Sequence, residues 1–416
     1  MKRVIALVLF VVFVSFNSYA QANKYEKLKI FAKVMAIIEH DYVDNVSEVK
    51  LINDAIKGMV SSLDPHSSYM TKDEYKELKI MTTGKFGGLG MVVTMKNGML
   101  TVVAPIEDTP AYRAGIKAKD IIIKINGEST LGMTLDEAVK KLRGKPGTKV
   151  TLTILREGEN KPIVVTITRA IIHVKSVKYK KYGNVGYVKI TQFQDGTTKE
   201  LKKALEKLGK IDGLVLDLRN DPGGLLREAV GVCDLFIKKG VIVSIRGRRK
   251  KDVQYFYAHN DGDEPTYPMV VLINAGTASA AEIVSGCLKD HKRAIIMGVR
   301  SFGKGSVQSI IPLGDGSALR LTTARYYTPS GVSIQAIGIV PDIVVHQAKI
   351  IPESSGMNIR ESNLLHHLNN PELKKLLNRK KGSKLNLQKE LKNDYQLLRA
   401  IELIKAEDII CLRKQG

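Results

Sequence analysis

Apolar residues recur at Leu28, Ile30, Phe31, Val34, Met35, Ile37 and Ile38, which predicts a helix over residues 25–40. A second helical run over 51–63 stops at Asp64-Pro65, and residues 21–80 as a whole read as helical. Gly84, Gly87, Gly88 and Gly90 mark a boundary. Short β-rich runs follow at 91–95, 99–104, 120–125, 149–156 and 163–168. They are interrupted by one helix over 134–143, where Thr134 and Glu137 have the spacing of a capping box. From Gly186 onwards, strands at 186–190, 213–218, 241–245, 269–273 and 294–297 alternate with helices at 197–208, 225–237 and 279–289. That alternation predicts an α/β core. A β-rich end over 308–345 follows it, then a polar, lysine-rich tail with a helical period over 393–406 through Tyr395, Leu398, Ile401 and Ile404. The expected organisation is an α/β multi-domain chain in five parts: 1–20, a helical segment 21–83, a β-rich domain 84–170, an α/β core 171–346 and a partly helical tail 347–416.

The first part differs from the rest. Met1-Lys2-Arg3 is basic, residues 4–16 are almost wholly apolar, and Ser18-Tyr-Ala20 sets small residues where a signal peptidase reads. This is the pattern of a secretory signal peptide, and the run is short for a membrane span, which needs about 20 residues. We therefore expect a secreted, periplasmic protein, with retention as an inner-membrane anchor as the alternative. The three cysteines Cys233, Cys287 and Cys411 are scattered and odd in number, which is not a disulfide framework, and Cys233 and Cys287 lie in apolar, helix-like stretches that predict buried free thiols. The formal net charge is +23. Nucleic acid is the obvious partner for such a balance, but no aromatic stacking platform or DNA-binding motif accompanies it. A basic surface facing anionic envelope polymers or lipid head groups fits better, and no nucleic-acid partner is expected.

Two segments carry candidate chemistry: Asn274-Ala-Gly-Thr-Ala-Ser-Ala-Ala-Glu-Ile283 and Ser301-Phe-Gly-Lys-Gly-Ser-Val-Gln308. Ser279 stands at a strand-to-helix turn, where the positive end of a helix stabilises negative charge. The N–H of Ala280 would face an oxyanion formed beside it. A second donor would come from Arg219-Asn-Asp-Pro-Gly-Gly224, whose glycines let backbone amides approach a substrate closely. A serine hydroxyl needs a base, and a lysine serves as one only where its surroundings keep it neutral. Lys304 lies between two glycines, 25 residues beyond Ser279. Gln308 could hold its amine without adding charge. Taken singly, Ser279 would be an ordinary helix cap and Lys304 a surface turn residue; their joint pattern argues otherwise. His66 reads as a turn residue, His259 and His291 as lone loop residues, and His366-His367 has no matching ligands, so no metal and no cofactor are expected.

Residues 84–170 resemble a PDZ domain in Gly88-Leu-Gly90, Pro110-Ala-Tyr-Arg-Ala-Gly-Ile116 and Asp120-Ile-Ile-Ile-Lys-Ile-Asn-Gly127, with a departure at Lys119, where glycine is usual. The resemblance implies capture of a peptide carboxy terminus by the loop Gly88, Leu89, Gly90 and Met91, the peptide adding as a strand. The chain from about Lys24 to Val345 is similar to the carboxyl-terminal processing (tail-specific) serine peptidases. The resemblance rests on Leu63-Asp-Pro-His-Ser67, the 219–224 loop, the Ser279 and Lys304 segments, and Tyr326-Tyr-Thr-Pro-Ser-Gly331 through Gly338-Ile-Val-Pro-Asp342. It implies a crotonase-like α/β peptidase core with Ser279 as nucleophile, Lys304 as general base, Gln308 as its orienting partner, and Gly224 and Ala280 as oxyanion-hole amides. Asp221 stands where asparagine is common, and Ala281 where serine is. The implied substrates are proteins or peptides with apolar C-termini; an adaptor, a homo-oligomer and peripheral membrane association are compatible with it. Two rivals remain. One is a catalytically inactive PDZ scaffold. The other is a nucleotide site, because Gly298-Val-Arg-Ser-Phe-Gly-Lys304 nearly matches a phosphate loop; but Gly305 replaces the magnesium-binding hydroxyl, and a strand, not a helix, should follow.

Overall fold

The computed structural model describes residues 25–348, 361, 367–368, 391 and 393–415, with side chains to residue 407 in the last stretch. The segment on which the export signal rests lies outside the described residues, as does His366. The chain divides into two units, Met1–Tyr75 with Gln308–Thr322, and Lys76–Val307 with Thr323–Gly416.

In the first unit, helix α1 covers 25–41 and α2 covers Glu48–Ser61. The apolar residues that predict α1 stay exposed: Leu28, Ile30, Phe31, Val34 and Ile37. The chain then departs from the expected all-helical segment. Ser68–Met70 is a strand, β1, paired antiparallel with Arg320, Leu319 and Ala318. Asp64 makes the turn into it: its carboxylate accepts the backbone N–H of His66 (2.8 Å) and Ser67 (2.9 Å) and the hydroxyl of Ser67 (2.7 Å). A three-residue strand has no readable period of its own, and its partner lies some 250 residues away, so helical context hid it. Helix α3, Lys72–Thr83, follows.

The second unit contains a sheet and an α/β core. Strands β2 (Lys85–Gly88), β3 (Met91–Lys96), β4 (Met99–Pro105), β5 (Ile121–Ile125), β6 (Glu128–Ser129), β7 (Lys149–Leu155) and β8 (Ile163–Thr168) come first, and β9 (Ala170–His173) returns to pair with β2. The sheet runs β3-β4-β5-β7-β8, with β6 on β5. Helix α4 (Pro110–Arg113) and helix α5 (Leu135–Leu142) close it; α5 carries the Thr134–Glu137 capping box. Leu100, Val102, Ile122, Val150, Leu152 and Ile154 alternate inward to form a separate core.

The α/β core is a six-stranded sheet in the order β10 (Val177–Tyr182), β11 (Val185–Ile190), β12 (Gly213–Asp217), β15 (Met269–Ile273), β16 (Ile295–Gly298) and β19 (Ile343–Val344). β10 is antiparallel to β11 and every other neighbouring pair is parallel. β12 and β15 are buried along their whole length, which is why they read as continuous apolar runs. Helices α6 (Thr197–Leu208), α7 (Leu226–Asp234) and α8 (Ala280–Asp290) share one core with Leu214, Leu216, Val271 and Ile273. Helix α9 (Tyr395–Gln415) covers the other residues of the same strands, setting Leu397, Leu398, Ile401 and Ile404 against Val215, Val270 and Leu272. The predicted tail helix is thus part of the core layer. Cys233 on α7 and Cys287 on α8 are buried free thiols; burial, then the Cys287 thiol, pushes the Cys233 thiol up. Strands β13 (Gly240–Gly247) and β14 (Val253–Ala258) form a hairpin. β17 (Ser306–Pro312) pairs with β18 (Ala318–Tyr327), whose last residues also pair with β13. A strand after Lys304 is what the sequence predicts, and it removes the helix that a phosphate loop requires.

Candidate active site

β15 ends at Ile273, and the turn from Asn274 to Ser279 is built from side chains. The Asn274 side-chain Oδ1 accepts the backbone N–H of Asn220 (2.9 Å) and of Gly276 (3.0 Å). The Thr277 hydroxyl donates to the Leu218 carbonyl at 2.8 Å. Ser279 then opens α8 at φ 56°, ψ −113°. A non-glycine residue there costs about 1–3 kcal/mol and persists because its neighbours over-determine it. A strand–turn–helix junction of this kind lifts a short side chain clear of the backbone, and Ser279 is half-buried.

Ser279 and Lys304 meet through a residue that sequence reasoning did not single out. The Glu282 carboxylate is fully buried. Its Oε2 accepts the backbone N–H of Ser279 at 2.8 Å and that of Lys304 at 2.8 Å. Its Oε1 accepts the Gly303 N–H at 2.7 Å and the Ser301 hydroxyl at 2.6 Å. One carboxylate therefore pins the Ser279 turn and the Lys304 loop together. The Phe302 N–H adds a bond to the Thr277 carbonyl at 3.0 Å. Gly305 packs against the backbone of Gln335, leaving no room for a side chain there. A glutamate three residues into a helix, as here, usually signals only a capping box, so its second set of donors was not legible.

The turn after β12 completes the cluster. A methyl group on Gly223 would stand 2.7 Å from the Ala280 nitrogen and 2.9 Å from Ser279 Cβ, so this backbone lies directly against the Ser279 turn. Gly224 is bridged to Phe193, and the Leu225 N–H donates to the Phe193 carbonyl at 2.7 Å. Gly224, Ala280, Ser279 and Lys304 are brought to one place. Arg219, which opens this turn, is clamped by Asp217 (2.7 Å) and by Asp394, the residue just before α9 (2.7 Å). Asp221 is fully buried. Its Oδ1 accepts the Gly223 N–H at 2.8 Å, its main-chain carbonyl accepts the Ala278 N–H at 2.9 Å, and its Oδ2 has no partner among the described residues. Burial pushes this carboxyl up to about 8. At neutral pH this shift favours the protonated form.

Gln308 belongs to the first unit, on β17, and its side-chain amide donates to the Thr322 hydroxyl at 3.3 Å. His66 lies in the Asp64 turn; His259 pairs with Asp234 at 3.1 Å, and His291 is bonded to the Val241 carbonyl at 2.8 Å. Among the described residues no cluster of three or more His, Cys, Asp or Glu could hold a metal ion.

The loop Gly88–Met91 leads into β3, which stands at the end of its sheet. A cavity of about 160 Å³ lies between β3 and α5, lined by Phe86, Leu89, Met91, Val93, Val139 and Leu142, with Arg143 at its margin. The Arg143 guanidinium stacks 4.8 Å from the Phe86 ring and pairs with Glu77 at 2.6 Å. An apolar slot beside an unpaired strand edge can accept an extended peptide.

Comparison with known proteins agrees with this anatomy. Residues 184–345 match Peptidase family S41, residues 101–156 a PDZ domain, and residues 14–74 the N-terminal domain of the activating protease CtpB. A carboxy-terminal-processing protease of Bartonella bacilliformis is 47% identical over 402 residues, covering 94% of this chain and 92% of its own. A Staphylococcus aureus protein named "Probable CtpA-like serine protease" is 44% identical over 80% of this chain and 67% of its own. Among solved structures, a photosystem II D1 C-terminal processing protease is 30% identical with a TM-score of 0.45, covering 76% of this chain and 92% of that one. With a family match that spans the Ser279 and Lys304 turns and a relative of this similarity along nearly its whole length, the chain belongs to peptidase family S41 and is a serine-type peptidase carrying a PDZ domain.

Proposed function

We propose that the protein is a periplasmic endopeptidase that captures an apolar protein C-terminus in the slot between β3 and α5 and cuts nearby with a Ser279–Lys304 dyad. The observation that carries the dyad is the shared Glu282 carboxylate, which binds the backbone of both residues. Neutral Lys304 takes the proton as Ser279 Oγ attacks the scissile carbonyl carbon. The carbonyl oxygen becomes an oxyanion held by the N–H groups of Ala280 and Gly224. As the tetrahedral species collapses, the C–N bond breaks and the lysine ammonium protonates the leaving amine. Water, deprotonated by Lys304, then attacks the acyl-Ser279 ester, and a second collapse releases the carboxylate and restores the serine. Gln308 is assigned to orient the lysine, and Gly88, Leu89, Gly90 and Met91 to hold the peptide carboxylate with backbone donors. Export is supported by the basic start, apolar run and small-residue pair of residues 1–20. An adaptor and a homo-oligomer remain compatible with this reading.

The test is labelling by a serine-directed phosphonate together with peptide cleavage in wild type, Ser279→Ala and Lys304→Ala. Both variants should lose cleavage and labelling with unchanged circular dichroism. Turnover by Lys304→Ala near that of wild type would remove the lysine from the mechanism, and labelling elsewhere in the chain would remove Ser279.

A further inference from the structure

The hairpin β13–β14 carries a surface that the peptidase reaction does not use. Its connecting turn is Arg248-Arg249-Lys250-Lys251, all four exposed. Of its neighbours, Asp252 pairs with Arg249 at 2.8 Å. Register extends the charge onto the sheet, because Val253, Arg246 and Arg325 stand opposite one another across β14, β13 and β18. Arg246 and Arg325 are exposed, which gathers six cations on this end of the sheet. The next row is Tyr255, Ser244 and Tyr327. Phe256 and Ala258 point into the core, so Val253, Tyr255 and Tyr257 share the outward face. Tyr255 is 49% and Tyr257 54% exposed, and their rings lie 6.2 Å apart. β14 pairs with β13 alone among the described strands, so the face runs out to a free edge.

We propose that this face docks on an anionic phospholipid surface, with the Arg248–Lys251 turn meeting the head groups and Tyr255, Tyr257 and Val253 resting at the head-group level. Charge complementarity selects the partner: near an anionic membrane each basic residue strengthens binding by roughly fivefold. The tyrosines are amphipathic rings of the kind that settle at a membrane–water boundary. Single-stranded nucleic acid would need bare ring faces for stacking. Here the Arg246 guanidinium covers the Tyr327 ring at 4.0 Å, and Tyr255 and Tyr257 lean on each other. No helix among the described residues is long and apolar enough to cross a membrane, so attachment through this face is peripheral.

The chain contains no tryptophan, so Tyr255→Trp places one fluorophore on the face. Full-length Tyr255→Trp protein is mixed with vesicles of equal phosphatidylglycerol and phosphatidylcholine, with vesicles of phosphatidylcholine alone, and with a single-stranded oligonucleotide. Unchanged cleavage of a soluble peptide checks the fold. The local reporter matters because residues 4–16 could carry the chain to a vesicle without this face touching it. The expected result is a blue shift, and quenching by brominated acyl chains, on the phosphatidylglycerol vesicles alone. High salt should abolish it, and reversal of the turn (Arg248→Glu, Arg249→Glu, Lys250→Glu, Lys251→Glu) should weaken it by about 100-fold or more. No shift on anionic vesicles, an equal shift on neutral ones, or a shift that survives charge reversal would overturn the proposal. A stronger response to the oligonucleotide than to vesicles would replace the lipid with nucleic acid.

Discussion

Glu282 gathers four hydrogen bonds on one fully buried carboxylate, two of them from the backbone amides of Ser279 and Lys304. Each such hydrogen bond contributes about 0.5–1.5 kcal/mol, and misplacing a reacting group by about 1 Å costs about 100-fold in rate. In Glu282→Gln, the new NH2 group must face N–H donors on one side. Phosphonate labelling at Ser279 should slow by about 100-fold or more, while peptide binding at the β3 slot is unchanged; equal labelling rates would show that the clamp does not position the pair. Asp221 predicts a pH effect of its own. Its unfolded-state carboxyl ionises near 3.8, whereas burial holds the folded one protonated to about 8. Between these values the unfolded chain releases a proton that the folded chain keeps. The stability from this group is therefore full below 3.8, falls as pH rises, and is gone above about 8. Asp221→Asn removes that loss. The melting-temperature gain of the variant should widen through this window and level off above it, and a pH-independent gain would mean that Asp221 is already ionised in the native protein.

Two helices decide how the strands of the core are covered. α8 does so while carrying Ser279 at its start; α9 does so from the far end of the chain, with Ile401 and Ile404 buried against the sheet. Asp394, the residue just before α9, pairs with Arg219 at the head of the turn that leads to Gly224. Ile401→Ala leaves a cavity against β12 and β15, with an expected cost of about 2–5 kcal/mol in urea unfolding. A cost below about 0.5 kcal/mol would mean that α9 adds no packing to the core. Because the helix contacts strands rather than the Ser279 turn, the labelling rate of the folded variant should stay near that of wild type.

Across the whole molecule, the proposed capture slot and the proposed dyad rest on separate cores. The slot between β3 and α5 has its own core, distinct from the one beneath Ser279. If backbone donors at Gly88–Met91 hold a free carboxylate, amidating the C-terminus of a substrate removes the charge they bind. Cleavage at limiting substrate should then fall by roughly tenfold or more through KM, with kcat unchanged. Equal KM for acid and amide would remove the carboxylate from recognition.

The sequence by itself determined what local periods and turn chemistry encode. The strands β12 and β15 were legible as continuous apolar runs because both faces are buried, and α5 was legible from its capping box. Ser279 at a strand-to-helix turn and Lys304 between glycines were equally plain, since small residues and a helix start leave local marks. β1 was not legible, because three residues show no period and their partner is remote. Nor was the role of α9 as a core layer: its helical period marked a helix but could not name the surface it packs on. Tertiary structure alone decided that Glu282 would bridge two turns some 20 residues apart. It also decided that Asp221 would be sealed from water, and that tyrosines and arginines from three strands would share one face. Register, burial and shared hydrogen-bond acceptors depend on which distant segments pack together, and no local pattern records that.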